Sequence, residues 1–446
     1  FGYHSIQRIT VKHTEHFKFI SHLHGGADLF VVGQYDDSAS VAAVAIGSQV
    51  MQTITGIILG ITTGTTVLIA IATGAKDNRK VAFTIGSSVW LFSITGVVLT
   101  LVMVLFHSRI AELMHTPVEA MVDTKNYILV CSLGILFIVG YNVVCGILRG
   151  LGDSKTPLYF VGLACVINIV LDFILVGYFH WGATGAAIAT VTAQGVSFGI
   201  ALWFLYRHGF HFDFSRKDIR LNRNLSKKIL VLGAPIALQD ALINVSFLII
   251  TVIVNQMGVI ASASLGVVEK IIVFAMLPPM AISSAVATMT AQNYGAGLIK
   301  RMNKCLASGI GIALVFGVSV CVYSQFLPET LTAFFTKDAA VVAMAADYLR
   351  GYSIDCIVVS FVFCINSYFS GQGNSLFPMI HSLIATFLFR IPVSYWCSQI
   401  DSSSLFIMGF APPISTVVSL LICIWYLRYT QRKLYLRGTM MPAMSN

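Results

Sequence analysis

Three polar side chains interrupt two long apolar stretches of the chain: Asn168 and Asp172 in one, and Thr190 in the next. Residues four apart share a helix face, and at about 1.5 Å of rise per residue all three fall at a common depth below helix ends near Gly177 and Gly182. An Asp beside amide and hydroxyl oxygens suits a hard cation such as sodium, whereas a desolvated Asp suits a proton. The alternative for Asp172 is a helix-capping or interhelical hydrogen bond.

The composition places these residues in a membrane. Hydrophobic residues make up 57% of the chain and charged residues 11%, whereas soluble proteins carry about a quarter charged residues. The apolar stretches are long enough for helices that span a bilayer, and they lack the alternation of a membrane barrel. We therefore predict an all-α polytopic membrane protein. The eleven predicted spans cover residues 41–72, 81–106, 125–147, 157–179, 183–206, 228–255, 259–291, 304–326, 347–369, 376–397 and 404–428.

The basic residues predict the orientation of these spans. Nearly all Lys and Arg of the connecting loops lie on one side, and the other side holds only Arg109, Lys125 and Lys337. The positive-inside rule assigns the basic side to the cytoplasm. We expect a multi-pass protein of the inner (plasma) membrane with a cytoplasmic C-terminus and the bilayer as its partner. The net charge of +9 is thus a matter of topology, and we expect no nucleic acid partner.

An internal repeat divides the chain. A single offset of 221 residues superimposes five special residues on their counterparts, and the two copies have the same orientation. The predicted plan is twelve helices in two six-helix bundles. The paired residues are Gly74 and Gly295, Tyr127 and Tyr348, Gly150 and Gly371, Gly152 and Gly373, and Pro157 and Pro378. The predicted regions are an N-terminal lobe (1–206), a basic cytoplasmic linker (207–227), a C-terminal lobe (228–430) and a cytoplasmic tail (431–446).

The first helix of this plan is degenerate. The repeat counterpart of span 228–255 is residues 5–33, which contain Arg8, Lys12 and Glu15. A Lys, Arg or Asp at the centre of a membrane helix costs about 2.5 to 3.5 kcal/mol. Because the chain also begins with Phe1, we expect a truncated or frame-altered start. The segment has no apolar core typical of a signal peptide.

Several motifs in a constant order resemble one family of transporters. The first half carries GILRGLGDSKTP at 146–157, NIVLD at 168–172 and WGATGAAIAT at 181–190. The second half carries LGAPIALQD at 232–240, GVVEKI at 266–271, AQNYGAG at 291–297 and RIP at 390–392. Over about residues 26–430 the chain resembles the multidrug and toxic compound extrusion (MATE) family. The resemblance implies a twelve-helix exporter that couples efflux of bulky, often cationic organic compounds to inward flow of sodium ions or protons.

The resemblance also implies a cation-coupling site in the first lobe. In that family an Asp near the outer end of helix 1, an Asn and an Asp on helix 5 and a Thr on helix 6 are associated with cation binding. The matching positions here are Asp28, Asn168, Asp172 and Thr190. The coupling ion would be sodium or a proton, and we expect no other metal or cofactor.

The second lobe holds further polar residues with two open interpretations. Each could contact substrate or take part in coupling, or could instead form ion pairs and hydrogen bonds that hold helices together. These residues are Asp240, Glu269, Gln256, Gln292 and Arg390, with Asp355 facing the same choice.

Our preferred function is a monomeric secondary active antiporter of small organic compounds. The nearest rival is a lipid-linked oligosaccharide flippase of the same broad architecture, which would carry a basic cluster inside its cleft. No GxxxxGK[ST] motif is present to indicate direct use of ATP. An enzyme is not expected, because His381 is the only histidine well inside a span and we expect nothing near it to complete a catalytic set.

Overall fold

The computed structural model describes residues 28–210, 212–400 and 404–440, and these residues are almost entirely helical, with no strand among them. Ten helices are long and apolar enough to cross a membrane, and a bent pair of shorter helices makes an eleventh span. The predicted all-α polytopic fold is confirmed. Residues 1–27, which hold most of the degenerate first helix and the expected altered start, lie outside the described residues.

The helices are numbered in chain order. They are α1 (28–35), α2 (Ser38–Gly74), α3 (Asn78–Leu113), α4 (Met121–Leu133), α5 (Ile135–Leu151), α6 (Lys155–Asp172), α7 (Gly182–His208), α8 (Arg223–Asn255), α9 (Val259–Gly295), α10 (Ile299–Phe326), α11 (Pro328–Thr332), α12 (Ala339–Gly371), α13 (Leu376–Ala385), α14 (Ile391–Ile400) and α15 (Ala411–Met440). Short 3₁₀ turns cover Val118–Ala120, Arg216–Asp218 and Met408–Phe410, and π-helical turns cover Phe173–Tyr178 and Thr386–Arg390.

The chain forms two compact units, which divide between Ala237 and Leu238, inside α8. The first unit contains α1–α7 and the beginning of α8, and the second contains the rest of α8 and α9–α15. Residues 207–227, predicted as a linker, belong to the first unit. The predicted lobe limits remain predictions.

The repeated Gly-rich turns build the same structure in both units. Gly152 and Gly373 have φ values of 98° and 85°, in the left-handed region that glycine adopts without strain. Immediately after them, the side-chain oxygens of Asp153 and Asn374 accept hydrogen bonds from backbone N–H groups in the first turns of α6 and α13. Each turn therefore ends one helix and starts the next.

One predicted span is broken. The apolar stretch at 125–147 forms α4 and α5, which meet at Gly134 with a bend of 49°. A Cβ on Gly134 would lie 2.6 Å from Val191 Cγ2 of α7. The absence of a side chain at Gly134 thus permits close packing of the bend on α7.

Glycines also bring α2 against the first half of α8. A Cβ on Gly60 would lie 2.6 Å from the Cα of Ala237, and one on Gly64 would lie 2.5 Å from the carbonyl oxygen of Ile229. Gly233 makes the reciprocal approach from α8 to the α2 backbone. Small residues let helix backbones approach closely where the hydrophobic effect gives no drive between them. This glycine crossing joins the start of α8 to the first unit.

Candidate functional site

The four residues matched to the coupling site lie together in the first unit. Asn168 and Asp172 on α6 are 0% exposed, and Asp28 on α1 is 3% exposed. Asn168 Nδ2 donates to Thr190 Oγ1 at 3.3 Å, and Thr190 Oγ1 donates to Asp28 Oδ2 at 2.9 Å. Asp172 is the last residue of α6, and the span continues after it as the π-helical turn Phe173–Tyr178. Such turns are frequent at functional sites.

The site is rich in acceptors that lack donors. Asp28 Oδ1, Asn168 Oδ1 and both carboxylate oxygens of Asp172 are buried without a hydrogen-bond partner among the described residues. The Asp28 carboxyl is the main charged neighbour of Asp172. In the described part of the chain, no Lys, Arg or His nitrogen lies within 4.0 Å of either carboxylate. The arrangement can therefore accept a proton or a small cation.

A tyrosine and two thiols form the wall next to Asp28. Tyr127 and Cys131 on α4 are buried. The charge of Asp28 acts electrostatically on both side chains and on Cys165 of α6. The ring of Tyr127 packs directly on the backbone of Gly47 in α2. The sequence identified Tyr127 only as the repeat counterpart of Tyr348. It predicted no role in the site, because a tyrosine in an apolar span ordinarily packs against neighbouring helices. Its position beside both aspartates is new information from the structure.

A second group of charged side chains lies in the second unit. Arg390 is the last residue of the π-helical turn of its span, and its guanidinium carbon lies 4.2 Å from the centroid of the Phe247 ring. Glu269 on α9 accepts a hydrogen bond from Thr251 at 3.4 Å. Asp355 on α12 is 5% exposed. Arg390 acts electrostatically on both carboxyls.

The three other residues singled out in the second lobe lie elsewhere along the chain. Asp240 is exposed on α8 and is the third residue of the second unit, and Gln292 is half-buried near the end of α9. Gln256 is exposed in the turn after Asn255, the last residue of α8. Their roles in substrate contact remain predictions.

His381 has the partners that the sequence did not reveal. Its Nδ1 lies 2.8 Å from Ser419 Oγ, its Nε2 lies 2.8 Å from Asn366 Oδ1, and Cys423 Sγ is 3.3 Å from Nε2. The sequence did not predict that Ser419, 38 residues away, would contact His381. His381 is 1% and Ser419 4% exposed, however, so no substrate reaches the pair. Both ring nitrogens are satisfied, and the group joins three helices as a buried polar network.

Comparisons with known proteins agree with this architecture. A profile of the MatE family matches residues 19–174 and 235–396. A Bacillus subtilis protein described as "Probable multidrug resistance protein YoeA" is 25% identical over 412 residues, which cover 91% of this chain and 89% of that protein. The multidrug export protein MepA of Staphylococcus aureus is 25% identical over 365 residues, covering 80% of this chain and 79% of MepA. A crystal structure of MATE in complex with MaL6 superimposes with a TM-score of 0.90 at 22% identity, covering 96% of each chain.

The family match covers both units, and the fold match extends over nearly the whole chain. These similarities do not favour the rival hypothesis of a lipid-linked oligosaccharide flippase, and members of the family are transporters and not enzymes. The chain belongs to the MATE family of multi-pass multidrug efflux transporters.

Proposed function

We propose that the protein is a secondary active antiporter that exports bulky, often cationic organic compounds in exchange for sodium ions or protons. The observation that carries the proposal is the group of four buried oxygens on Asp28, Asn168 and Asp172, which have no hydrogen-bond partner within the part of the chain that the structure describes. The multidrug resistance and export names of its relatives support organic compounds as cargo.

Electrostatics explains why this group needs a cation. Two carboxylates removed from water repel each other, and each loses its hydration. The described neighbourhood supplies no basic side chain within 4.0 Å to balance them. A shared proton neutralises one carboxyl, and a sodium ion balances the charge while the Asn168 amide oxygen adds a further ligand. Either species makes the site stable, so its occupancy responds to an ion gradient.

Exchange requires only that ion and cargo stabilise different conformations. A ligand shifts an equilibrium by its difference in affinity for the two states. We propose that ion binding at Asp172 favours the state that releases cargo, in a monomer of the inner (plasma) membrane with a cytoplasmic C-terminus. The second-lobe residues Glu269 and Arg390, together with Asp240, Gln256 and Gln292, are the candidates for substrate contact or further coupling.

The test is efflux from liposomes that contain the purified protein. A fluorescent organic cation is loaded, and a sodium gradient at equal pH or a proton gradient without sodium is imposed. Asp172→Asn preserves the size of the side chain but removes its charge, so gradient-driven efflux should fall to the level of protein-free liposomes. Asp213→Asn, at an exposed position of the connecting segment, is the matched control and should transport as the wild type does.

The gradient that drives the wild type identifies the ion. Efflux that responds to neither gradient would overturn the antiport mechanism. Efflux that stays gradient-driven in Asp172→Asn would overturn the assignment of the coupling site.

A further inference from the structure

Arg390 is a charged side chain inside a membrane span, and it forms no ion pair with any residue that the structure describes. Its Nε is buried without a hydrogen-bond partner. Among residues 28–210, 212–400 and 404–440, no carboxylate lies within 4.0 Å of the guanidinium, and no acceptor bonds to it. Ionisable residues in membrane spans ordinarily pair with one another or mark a pathway for substrate. The N–H groups of the guanidinium are therefore available to bind a ligand.

The only described contact of the guanidinium is with an aromatic face. Phe247 on α8 lies under Arg390, 4.2 Å from ring centroid to guanidinium carbon. This contact holds the guanidinium in one orientation but does not satisfy its N–H groups. Both side chains are half-buried, as is that of Glu269. A ligand can therefore reach all three.

Glu269 and Arg390 have opposite charges but do not form an ion pair with each other. They interact electrostatically, yet their charged atoms are more than 4.0 Å from each other. Glu269 accepts a hydrogen bond from Thr251 at 3.4 Å, and Asp355 is 5% exposed. Thr251 thus contacts Glu269, and the Phe247 ring contacts Arg390.

We propose that this group binds aromatic zwitterions, with Arg390 taking the carboxylate of the exported compound. An arginine fork matches the two oxygens of a carboxylate. The Phe247 ring packs beside the aromatic body, and Glu269 receives the cationic end. The inference rests on the proposed efflux function and names its substrate class.

The same group is unsuited to a second small coupling cation. Arg390 brings a positive charge next to Glu269 and Asp355, which opposes a sodium ion there. In the first unit the two aspartates have no such neighbour among the described residues. The first unit thus binds the inorganic ion, and the second unit binds the organic compound.

A pair of dyes tests the proposal. A rhodamine with a free benzoic acid carries both a cation and a carboxylate, and its methyl ester carries the cation alone. Binding to the detergent-solubilised protein is measured by fluorescence anisotropy, and efflux from liposomes is measured separately. Arg390→Gln should weaken binding of the acid about tenfold, since a charge-assisted pair is lost, and should leave the ester unchanged.

Further variants separate the two ends of the ligand. Arg390→Lys keeps the charge without the fork and should recover only part of the acid's affinity. Glu269→Gln should weaken both dyes, because both carry the cation. Arg109→Gln removes an arginine at the surface of the first unit, where its side chain is 82% exposed, and should change neither.

The results distinguish this inference from the function on which it rests. The inference is overturned if the wild type binds the acid no more tightly than the ester, or if Arg390→Gln weakens both dyes equally at an unchanged melting temperature. Acid binding that depends on Arg390, without efflux of either dye, would uphold the inference and contradict the proposed export.

Discussion

Asp28 and Asp172 come from helices far apart in the sequence, and Thr190 connects this pair to Asn168. Its hydroxyl accepts from the amide at 3.3 Å and donates to Asp28 at 2.9 Å. The hydroxyl thus contacts both side chains, whose remaining oxygens, Asn168 Oδ1 and Asp28 Oδ1, have no donor among the described residues. Thr190 is therefore a positioning residue of the site.

Thr190→Ala should weaken ion coupling without abolishing it. Loss of one hydrogen bond to a charged group should raise the ion concentration for half-maximal efflux about tenfold. Thr190→Ser keeps the hydroxyl and should restore the wild-type value. Thr192→Ala, at an exposed position two residues later on α7, should have no effect. A response of Thr190→Ser as large as that of Thr190→Ala would show that the methyl group and its packing matter, and not the hydroxyl.

The predictability of these residues depended on how local their relations are. Asn168 and Asp172 share a face because they are four apart, and Thr190 reaches their depth by counting from a helix end. Asp28 was matched only through a family resemblance, because no spacing relates it to α6. The partners of His381 were missed because Asn366 and Ser419 lie 15 and 38 residues away, and the sequence does not specify which helix faces meet.

At the scale of helices, the length of the apolar stretches determined most of what could be predicted. Ten of the spans appear as single long helices or as helices extended by a π-helical turn. The 49° bend at Gly134 was not predicted, because glycine is common in straight membrane helices. The π-helical turns after Asp172 and before Ile391 likewise have no sequence signature. These irregularities depend on contacts with neighbouring helices, which a single stretch of sequence does not reveal.

The glycine crossing of α2 and α8 gives a prediction at this scale. Gly60→Ala should destabilise the protein by about 1 to 3 kcal/mol, because its Cβ would be forced against backbone atoms. A Cβ at Gly60 would lie 2.6 Å from Ala237 Cα, whereas one at Gly56, one turn earlier, meets nothing within 4 Å. Gly56→Ala is therefore the matched control and should leave stability unchanged or slightly higher. Thermal unfolding in detergent measures both, and equal melting temperatures for the two variants would contradict the crossing.

At the scale of the whole molecule, the direction of each helix relates the coupling site to one side of the membrane. Helix α6 starts at the basic turn after Gly152 and carries Asp172 at its far end. Loop charges could predict this direction because they depend only on composition. If the basic side is cytoplasmic, Asp172 lies toward the outside, where an ion that flows inward arrives first.

Labelling of introduced cysteines tests this orientation. Asp213→Cys lies in the basic connecting segment, and Lys337→Cys lies in a loop that the charge pattern predicts to be on the opposite side; both positions are exposed. The nine native cysteines are buried, so a membrane-impermeant maleimide should label them little. We expect Asp213→Cys to be labelled only in inverted vesicles and Lys337→Cys only in right-side-out vesicles. The reverse pattern would place Asp172 toward the cytoplasm. It would contradict the expectation that an ion flowing inward reaches Asp172 first.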